Sequence, residues 1–323
     1  MSDIYDFEGA RRAVASLARR TPLLPATELS ERFERPVFVK AECLQATGSF
    51  KVRGAAARLS ALSESERETG VVACSSGNHG RAVAYVAQKL GVPATVCVPG
   101  WVDPVKLDGI RGAGAEALLV GETYDEAEAH ALRLADETGR PFVSAYDDPW
   151  VIAGQGTLAA EITEDLGRLP GAVIAPLSGG GLVGGIAAAF VSQGAAVRCV
   201  GATAENAGVM LASLQAGRPI DLPEKETLAN ALAGGIGLDN QYSFALIRDA
   251  VEEHVTVTED QIGDAMRYAV RQLHLVLEGG GAVALASVLS GAWDPRSLEP
   301  DSPLVVVLSG GNVAPKVLAA LLT

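Results

Sequence analysis

Apolar residues along the chain form short runs that alternate with longer stretches in which they recur every three to four positions. Short apolar runs are typical of buried strands, and the longer stretches are typical of helices with one buried face. The predicted strands are residues 37–39, 71–74, 94–98, 117–120, 142–143, 172–175, 197–203, 253–257 and 304–308. The predicted helices include residues 6–20, 52–62, 83–90, 105–111, 124–138, 156–166 and 182–191, with a closing helix from residue 313. This alternation predicts an α/β fold of parallel sheets covered by helices on both faces.

One block of strand–helix units is set apart by polar stretches. Residues 63–70 precede the block and residues 144–149 follow it. We therefore expect residues 63–144 to form a smaller domain that is inserted into a larger one, which comprises residues 1–62 and 145–323.

Three polar loops rich in glycine and serine follow predicted strands. They are Ser75–Gly80, Ser178–Gly181 and Ser309–Asn312. Ligands of parallel sheets bind outside the carboxyl ends of the strands, so we expect these loops to converge. Glu278, which precedes three glycines, is a further candidate at the rim, although an acid at a helix start also serves as a simple cap.

Lys51 lies between a Gly–Ser turn and a predicted helix, with Ser49 as the expected N-cap. In the first turn of a helix, free N–H groups and the helix dipole disfavour a cation. The neutral amine that results is the form that condenses with a carbonyl group. From these residues alone, a surface lysine at a helix start is an equally simple interpretation.

The three consecutive glycines after Ser178 allow a ligand to approach the backbone closely at a helix N-terminus, as in a phosphate cup. The loop lacks the G-x-G-x-x-G pattern of dinucleotide sites and the Gly-Lys-Ser/Thr of a Walker loop. A small phosphate ester fits better, and close packing of the helix on its strand is the alternative. A lysine, a phosphate cup and a polar loop together suggest pyridoxal phosphate bound as a Schiff base.

Five motifs, in order along nearly the whole chain, resemble those of the serine/threonine dehydratase and serine racemase family. They are residues 49–54, 75–80, 153–157, 178–181 and 308–312. The resemblance implies the two-domain, parallel-sheet fold of the tryptophan-synthase-β-like (fold type II) pyridoxal phosphate enzymes. A narrower likeness, at residues 210–219 and 232–240, is to the ectoine and hydroxyectoine utilisation dehydratases.

The resemblance also implies the roles of individual residues. Lys51 is then the Schiff-base lysine and the base at the substrate Cα. The residues implied to bind the cofactor are Phe50, Lys51, Asn78, Ser178, Gly179, Gly180, Gly181, Glu278 and Ser309. The residues implied to receive the substrate are Ser75, Ser76, Asn78 and His79. Ser76 is a second catalytic candidate, as the acid on the opposite face of the cofactor that a racemase needs.

The activity that the resemblance implies is an ammonia-lyase, or dehydratase, of a β-hydroxy amino acid such as threonine, serine or 3-hydroxyaspartate. The products are a 2-oxo acid and ammonia. A hydroxyl such as that of Ser309 does not enforce protonation of the pyridine nitrogen, which favours β-elimination over transamination. The alternatives are a serine- or aspartate-type racemase, a dehydratase of ectoine or hydroxyectoine breakdown, and a cofactor-binding regulatory protein without catalysis.

Composition narrows the classes of partner. The chain has 323 residues, 48% of them hydrophobic, and 26 basic against 39 acidic residues give a net charge of −13. Without a basic cluster we expect no nucleic-acid partner. The four cysteines show no metal-ligand spacing, so we expect no structural metal, and three of them lie in apolar strand-like runs where we expect small buried thiols. We also expect no signal peptide, membrane span or C-terminal regulatory domain, and a cytoplasmic protein. A homodimer is implied by the resemblance alone.

Overall fold

A computed structural model describes residues 4–75, 77–100, 102 and 104–323, with the backbone alone for residues 104–106. The strands are β1 Leu23–Pro25, β2 Val37–Lys40, β3 Val71–Cys74, β4 Ala94–Val98, β5 Glu116–Leu119, β6 Ala172–Pro176, β7 Arg198–Ala204, β8 Glu253–Val257 and β9 Leu304–Val307.

The helices, several of which are separated by short 3₁₀ turns, surround these strands. They are α1 Phe7–Leu17, α2 Thr27–Phe33, α3 Lys51–Ser60, α4 Glu64–Thr69, α5 Asn78–Leu90, α6 Pro104–Gly112, α7 Tyr124–Thr138, α8 Pro149–Leu166, α9 Gly181–Ser192, α10 Val209–Ala216, α11 Ser243–Ala250, α12 Glu259–Tyr268, α13 Gly279–Leu289 and α14 Pro315–Leu322. A π-helical turn at Ala269–Leu273 continues α12.

The strands form two sheets. One has six strands in the order β1-β2-β9-β6-β7-β8, and the other has three in the order β3-β4-β5. All neighbouring strands are parallel except β1, which pairs antiparallel with β2. The predicted α/β fold with parallel sheets is confirmed. The antiparallel edge strand β1 was not predicted, because its three residues are too few to show a period.

The order of the six-stranded sheet explains why distant motifs meet. Strands β2, β9 and β6 are consecutive neighbours. The segment after β2 leads to Lys51, the one after β9 contains Ser309, and the one after β6 contains Ser178. Because these strands are parallel, all three segments leave the same edge of the sheet.

Several predicted boundaries differ from the structure. Phe142 forms only an isolated bridge with Val72, so the predicted strand at 142–143 is wrong. Helix α8 begins at Pro149 rather than at residue 156, with the side chain of Asp148 capping it. The glycines of residues 153–157 lie inside this helix, where neighbouring helices pack directly on them.

Residues 71–119 supply the three-stranded sheet, and residues on both sides of that segment supply the six-stranded one. The domain boundaries near residues 62 and 144 stay a prediction. No helix within the described part of the chain combines the length and the apolar character that a membrane crossing requires.

Candidate functional site

Lys51 is the first residue of α3, as predicted. Its Nζ donates a hydrogen bond to the carbonyl oxygen of Ala145 at 2.7 Å and lies 5.2 Å from the centre of the Phe50 ring. Burial of the ammonium lowers its pKa to about 8. This shift has the direction expected from the sequence, and the loss of hydration on burial accounts for it.

The prediction that Ser49 caps this helix is wrong. The residue in the N-cap position is Phe50, and no side chain caps the helix. Ser49 instead forms an antiparallel bridge with Gly310, and its fully buried hydroxyl has no hydrogen-bond partner within the described residues. The backbone N–H of Phe50 donates to the carbonyl oxygen of Ser309 at 3.0 Å. Pairing with the segment after β9, not capping, therefore sets the start of α3.

Helix α3 is held from behind by Arg53, whose side chain is fully buried. Its guanidinium binds Glu42 through two hydrogen bonds of 2.8 Å and Glu161 through bonds of 2.6 and 2.9 Å. Lys40, also fully buried, contacts Glu161 at 2.8 Å. We call Lys40, Glu42, Arg53 and Glu161 the buried ion cluster. Such pairs hold the position of α3, because moving or removing one partner leaves a buried charge that neither water nor a counter-ion stabilises.

The cluster favours the ionised forms of Glu161 and Arg53. Burial alone would raise the pKa of Glu161, but Arg53 and Lys40 outweigh it and keep that pKa below its ordinary value. Burial likewise works to lower the pKa of Arg53, and the carboxylates of Glu42 and Glu161 raise it instead. The helix packing adds to this anchor, since a Cβ on Gly154 would lie 2.5 Å from the carbonyl oxygen of Arg53.

The loop at residues 178–181 runs into α9, whose N-terminus has no side-chain cap. Gly180 has φ = +86°, which side chains rarely adopt. A Cβ on Gly179 would lie 2.3 Å from the ring of Tyr146, so only glycine fits beneath that ring. The hydroxyl of Ser178 donates to the carbonyl oxygen of Leu232 at 2.8 Å. Backbone N–H groups at a helix start that is free of caps form an anion site.

The segment Ala145–Tyr146 connects these two parts of the site. Ala145 receives the hydrogen bond from Lys51, and the next residue covers the glycine loop. Burial, followed by the negative charges of Glu128, Asp147 and Asp239, raises the pKa of Tyr146. From the sequence, residues 144–149 are predicted only to mark the edge of a domain. Its position after the strand-like residues 142–143 was the signal that could have identified it.

The predicted substrate loop follows β3. Ser75 is buried, and its hydroxyl accepts a hydrogen bond from the backbone N–H of Gly77 at 3.1 Å. Ser76, our second catalytic candidate, lies outside the described residues. Asn78 begins α5, and His79 follows it, buried.

The ring of His79 has one nitrogen, Nδ1, without a hydrogen-bond partner among the described residues. Its Nε2 lies 2.8 Å from the carbonyl oxygen of Val143, which can only accept, so the proton is on Nε2. Burial, followed by the charge of Lys51, lowers the pKa of His79 to about 3, which keeps the ring neutral. A substrate carboxylate therefore fits the first-turn N–H groups of α5 better than this ring.

Glu278 precedes α13 but does not cap it with its side chain. Its carboxylate instead accepts a hydrogen bond from Nδ2 of Asn78 at 2.6 Å. A Cβ on Gly310 would lie 2.1 Å from Oε1 of Glu278, so the glycine of the segment after β9 makes room for this carboxylate. Ser309, beside it, is 5% exposed. The structure thus brings Asn78 and Glu278 into contact and places the Ser309–Gly310 segment beside Glu278 and beside Phe50, which precedes Lys51.

These features are typical of one class of protein: an α/β enzyme with a partly buried lysine at the start of one helix and an uncapped glycine loop at the start of another. The family model described as pyridoxal-phosphate dependent enzyme matches residues 14–310. The L-threonine ammonia-lyase of Thermotoga maritima is 40% identical over 313 residues, which cover 97% of this chain and 76% of that protein.

Two solved structures share the fold along nearly all of the chain. The maize serine racemase has a TM-score of 0.89 at 30% identity, covering 98% of this chain and 96% of that one. A threonine deaminase from Solanum lycopersicum has a TM-score of 0.89 at 32% identity, covering 97% and 90%. The chain belongs to the pyridoxal-phosphate dependent enzymes of fold type II, within the threonine dehydratase and serine racemase family. None of the comparisons distinguishes the ectoine branch.

The residues present fit this cofactor. The glycine loop at residues 178–181 offers backbone N–H donors where any Cβ would collide, which suits a phosphate. Lys51 offers an amine whose pKa of about 8 leaves a useful neutral fraction at physiological pH.

Proposed function

We propose that this protein is a pyridoxal-phosphate-dependent ammonia-lyase that dehydrates a β-hydroxy amino acid, with threonine as the first candidate, to a 2-oxo acid and ammonia. The observation that carries the proposal is the position of the partly buried amine of Lys51. It donates to Ala145, which precedes the tyrosine that covers the glycine loop, and it follows Phe50, whose N–H donates to Ser309. When bound, pyridoxal phosphate supplies an electron-withdrawing ring that stabilises negative charge at the substrate Cα.

The residues that would hold the cofactor follow from their chemistry. Lys51 would bind its aldehyde covalently, and the N–H groups of Gly179–Gly181 would bind its phosphate. Asn78 would donate to the ring hydroxyl, Ser309 would face the pyridine nitrogen, and Phe50 would lie beside the ring. Glu278 would act through Asn78, to which it is hydrogen bonded.

Lys51 is then the group that removes the proton from the substrate Cα. A base works best when its pKa is close to the working pH, and burial brings Lys51 near that range. Ser309 has a hydroxyl that does not force a proton onto the pyridine nitrogen, which favours loss of the β-hydroxyl over transamination. Ser75 and the N–H groups that begin α5 would receive the substrate carboxylate.

The negative charge near Tyr146 favours a substrate without a negative side chain. Glu128 and Asp239 place negative charge around Tyr146, which covers the glycine loop. Burial, followed by the charges of Asp125 and Asp239, raises the pKa of Glu128, as expected where acidic groups lie close together. We therefore expect threonine and serine to be better substrates than 3-hydroxyaspartate.

The test is a panel of β-hydroxy amino acids assayed for both ammonia and 2-oxo acid. We expect equal amounts of the two products from threonine or serine and little from 3-hydroxyaspartate. If a holoenzyme with bound cofactor released neither product from any member of the panel, the substrate class would be wrong. Chiral analysis of the remaining amino acid separates lysis from racemisation, and Ser76→Ala would abolish only the latter.

We also propose a cytoplasmic homodimer, as the resemblance implies. Light scattering coupled to size-exclusion chromatography should give twice the mass of the chain, and the mass of a single chain would contradict the dimer.

A further inference from the structure

Four polar side chains form a continuous line of hydrogen bonds across the candidate site. Arg81 Nη1 donates to Asn312 Oδ1 at 3.1 Å, Asn312 Nδ2 donates to Asn78 Oδ1 at 2.7 Å, and Asn78 Nδ2 donates to Glu278 at 2.6 Å. We call this line the amide relay. It joins α5, which carries Asn78 and Arg81, to the segments that precede α13 and follow β9.

The chemistry of the two ends sets the direction of the relay. A guanidinium can only donate hydrogen bonds, and a carboxylate can only accept them. The two amides between them must therefore each receive at the oxygen and donate from the nitrogen. The carbonyl oxygen of Thr47 fixes Asn312 a second time, because it accepts from Nδ2 at 2.9 Å. The reversed orientation of either amide would place two donors or two acceptors together.

The backbone is shaped to admit these side chains. A Cβ on Gly48 would lie 2.3 Å from Oδ1 of Asn312, and Gly48 also has φ = +77°. Gly310 leaves the corresponding space for Glu278. The relay therefore passes through two gaps that only glycine leaves open. Asn78 and Arg81 are three residues apart and lie on the same side of their helix, so both reach Asn312.

We propose that Asn312 and Arg81 are positioning residues, which fix the amide of Asn78 so that its Nδ2 faces the cofactor. This inference rests on the proposed role of Asn78 as donor to the ring hydroxyl of the cofactor. Neither residue needs to touch the cofactor. Asn312 occupies Oδ1 of Asn78 and so prevents the amide from turning its acceptor toward the ring oxygen. Arg81 in turn orients Asn312.

The experiment is to titrate the apoenzyme with pyridoxal phosphate and follow the visible absorption of the bound cofactor. Asn312→Asp keeps the size of the side chain and its contact with Arg81, but it cannot donate to Asn78. We expect the dissociation constant of the cofactor to rise about tenfold or more, with a shift of the band maximum or of its pH titration. The matched control is Asn206→Asp, since Asn206 is a partly exposed amide whose Nδ2 donates only to the carbonyl oxygen of Glu226 in the described chain.

A double-mutant cycle separates positioning from a structural effect. In an Asn78→Ala background, Asn312→Asp should raise the dissociation constant by less than about twofold, because the residue through which it acts is gone. The same increase in both backgrounds, or no change of affinity and band in the single variant, would overturn the proposal.

Arg81→Leu keeps the proposal testable if Asn312→Asp fails to fold. Arg81 is exposed, so its removal leaves the core intact, and we expect a rise of about threefold that Arg81→Lys partly restores. Arg133→Leu, another exposed arginine, should change nothing, and equal effects of the two leucine variants would contradict the relay. A wild-type protein that binds no cofactor would refute the proposed function itself. A wild-type protein that binds the cofactor, together with relay variants that bind it equally well, would refute only the role of the relay.

Discussion

Helices α3 and α5 carry Lys51 and Asn78 to the candidate site, and the two helices are held in place in different ways. Helix α3 begins at Lys51 and is fixed by the buried ion cluster and by close packing on α8. Helix α5 begins at Asn78 and is connected across the cleft by the amide relay, whose outer member Arg81 is exposed.

Because the two helices are held differently, substitutions near them should have different effects. The anchors of α3 are buried except for a small exposed part of Glu161, so a change there leaves a buried charge or a cavity and lowers the stability of the whole fold. Three of the four side chains of the relay, Asn78, Arg81 and Asn312, are partly or largely exposed, so water can replace a lost partner there at modest cost. Substitutions behind Lys51 should therefore appear in unfolding experiments, and substitutions in the relay should appear in cofactor affinity.

The largest effect is expected for Lys51→Ala. In the proposed function, this amine both attaches the cofactor and removes the proton from Cα, so activity should fall by roughly 10³-fold or more. The visible band of the bound cofactor should disappear as well. Absorption spectra and ammonia release measure the two effects. Lys316→Ala, at an exposed lysine of α14, is the control and should retain both. A variant at residue 51 that keeps normal turnover would refute the assignment.

The next largest effect is expected for Arg53→Met. The substitution leaves Glu42 buried without its cation and removes one of the two cations that contact Glu161. We expect the free energy of unfolding to fall by about 3–5 kcal/mol, measured by urea denaturation of the apoenzyme.

The matched control is the double variant Glu42→Gln/Arg53→Met, which removes both charges of the innermost pair. It should recover part of the lost stability, because the uncompensated charge is gone. A loss in the single variant no larger than that of an exposed arginine such as Arg133→Met would contradict the role of the buried ion cluster.

The sequence was sufficient for the fold class and for the positions of the strand-end loops, because apolar periodicity and glycine-rich turns are local signals. It was also sufficient for Lys51, since the lysine lies within a motif. The anchors of α3 were not predictable. Arg53 and Glu42 read as ordinary polar residues until β2, α3 and α8 are placed side by side.

Two predictions from the sequence were wrong or incomplete for the same reason. Ser49 has the composition of a helix cap, but its backbone pairs with Gly310, which is more than 200 residues away in the chain. Asn312 was recognised as part of a motif without a role, because its partners Asn78 and Arg81 come from another sheet–helix unit. Contacts between distant segments leave no periodic signal in the sequence.

A smaller effect concerns the pH dependence of cofactor capture. Burial lowers the pKa of Lys51 to about 8, and only the neutral amine condenses with an aldehyde. The rate at which the apoenzyme binds pyridoxal phosphate should therefore rise with pH and level off above about 8. Between pH 7 and 9 the increase should be about tenfold, since the neutral fraction grows by that factor.

The stability of the apoenzyme should follow the same group. Between its lowered folded-state pKa and the ordinary value of an unfolded lysine, the unfolded chain binds more protons, so stability rises with pH in that window. Urea denaturation of the apoenzyme at several pH values measures this change in stability.

Stopped-flow absorption measures the rate of cofactor capture predicted above. A midpoint near the ordinary pKa of lysine would show that the amine is not buried in the apoenzyme.

The smallest effect is expected for Ser178→Gly, and it distinguishes two roles for this hydroxyl. The resemblance to the family implied that Ser178 binds the cofactor phosphate. In the structure its single proton is donated to the carbonyl oxygen of Leu232 at 2.8 Å, so it is not available to a phosphate. The substitution should lower the free energy of unfolding by about 1 kcal/mol and leave the cofactor dissociation constant within about threefold of wild type. If the affinity for pyridoxal phosphate instead fell tenfold or more, the hydroxyl would have to turn from Leu232 to the phosphate when the cofactor binds. In that case a polar side chain of the glycine loop would determine cofactor affinity, as we expect for the amide relay, and not only stability, as we expect for the buried ion cluster.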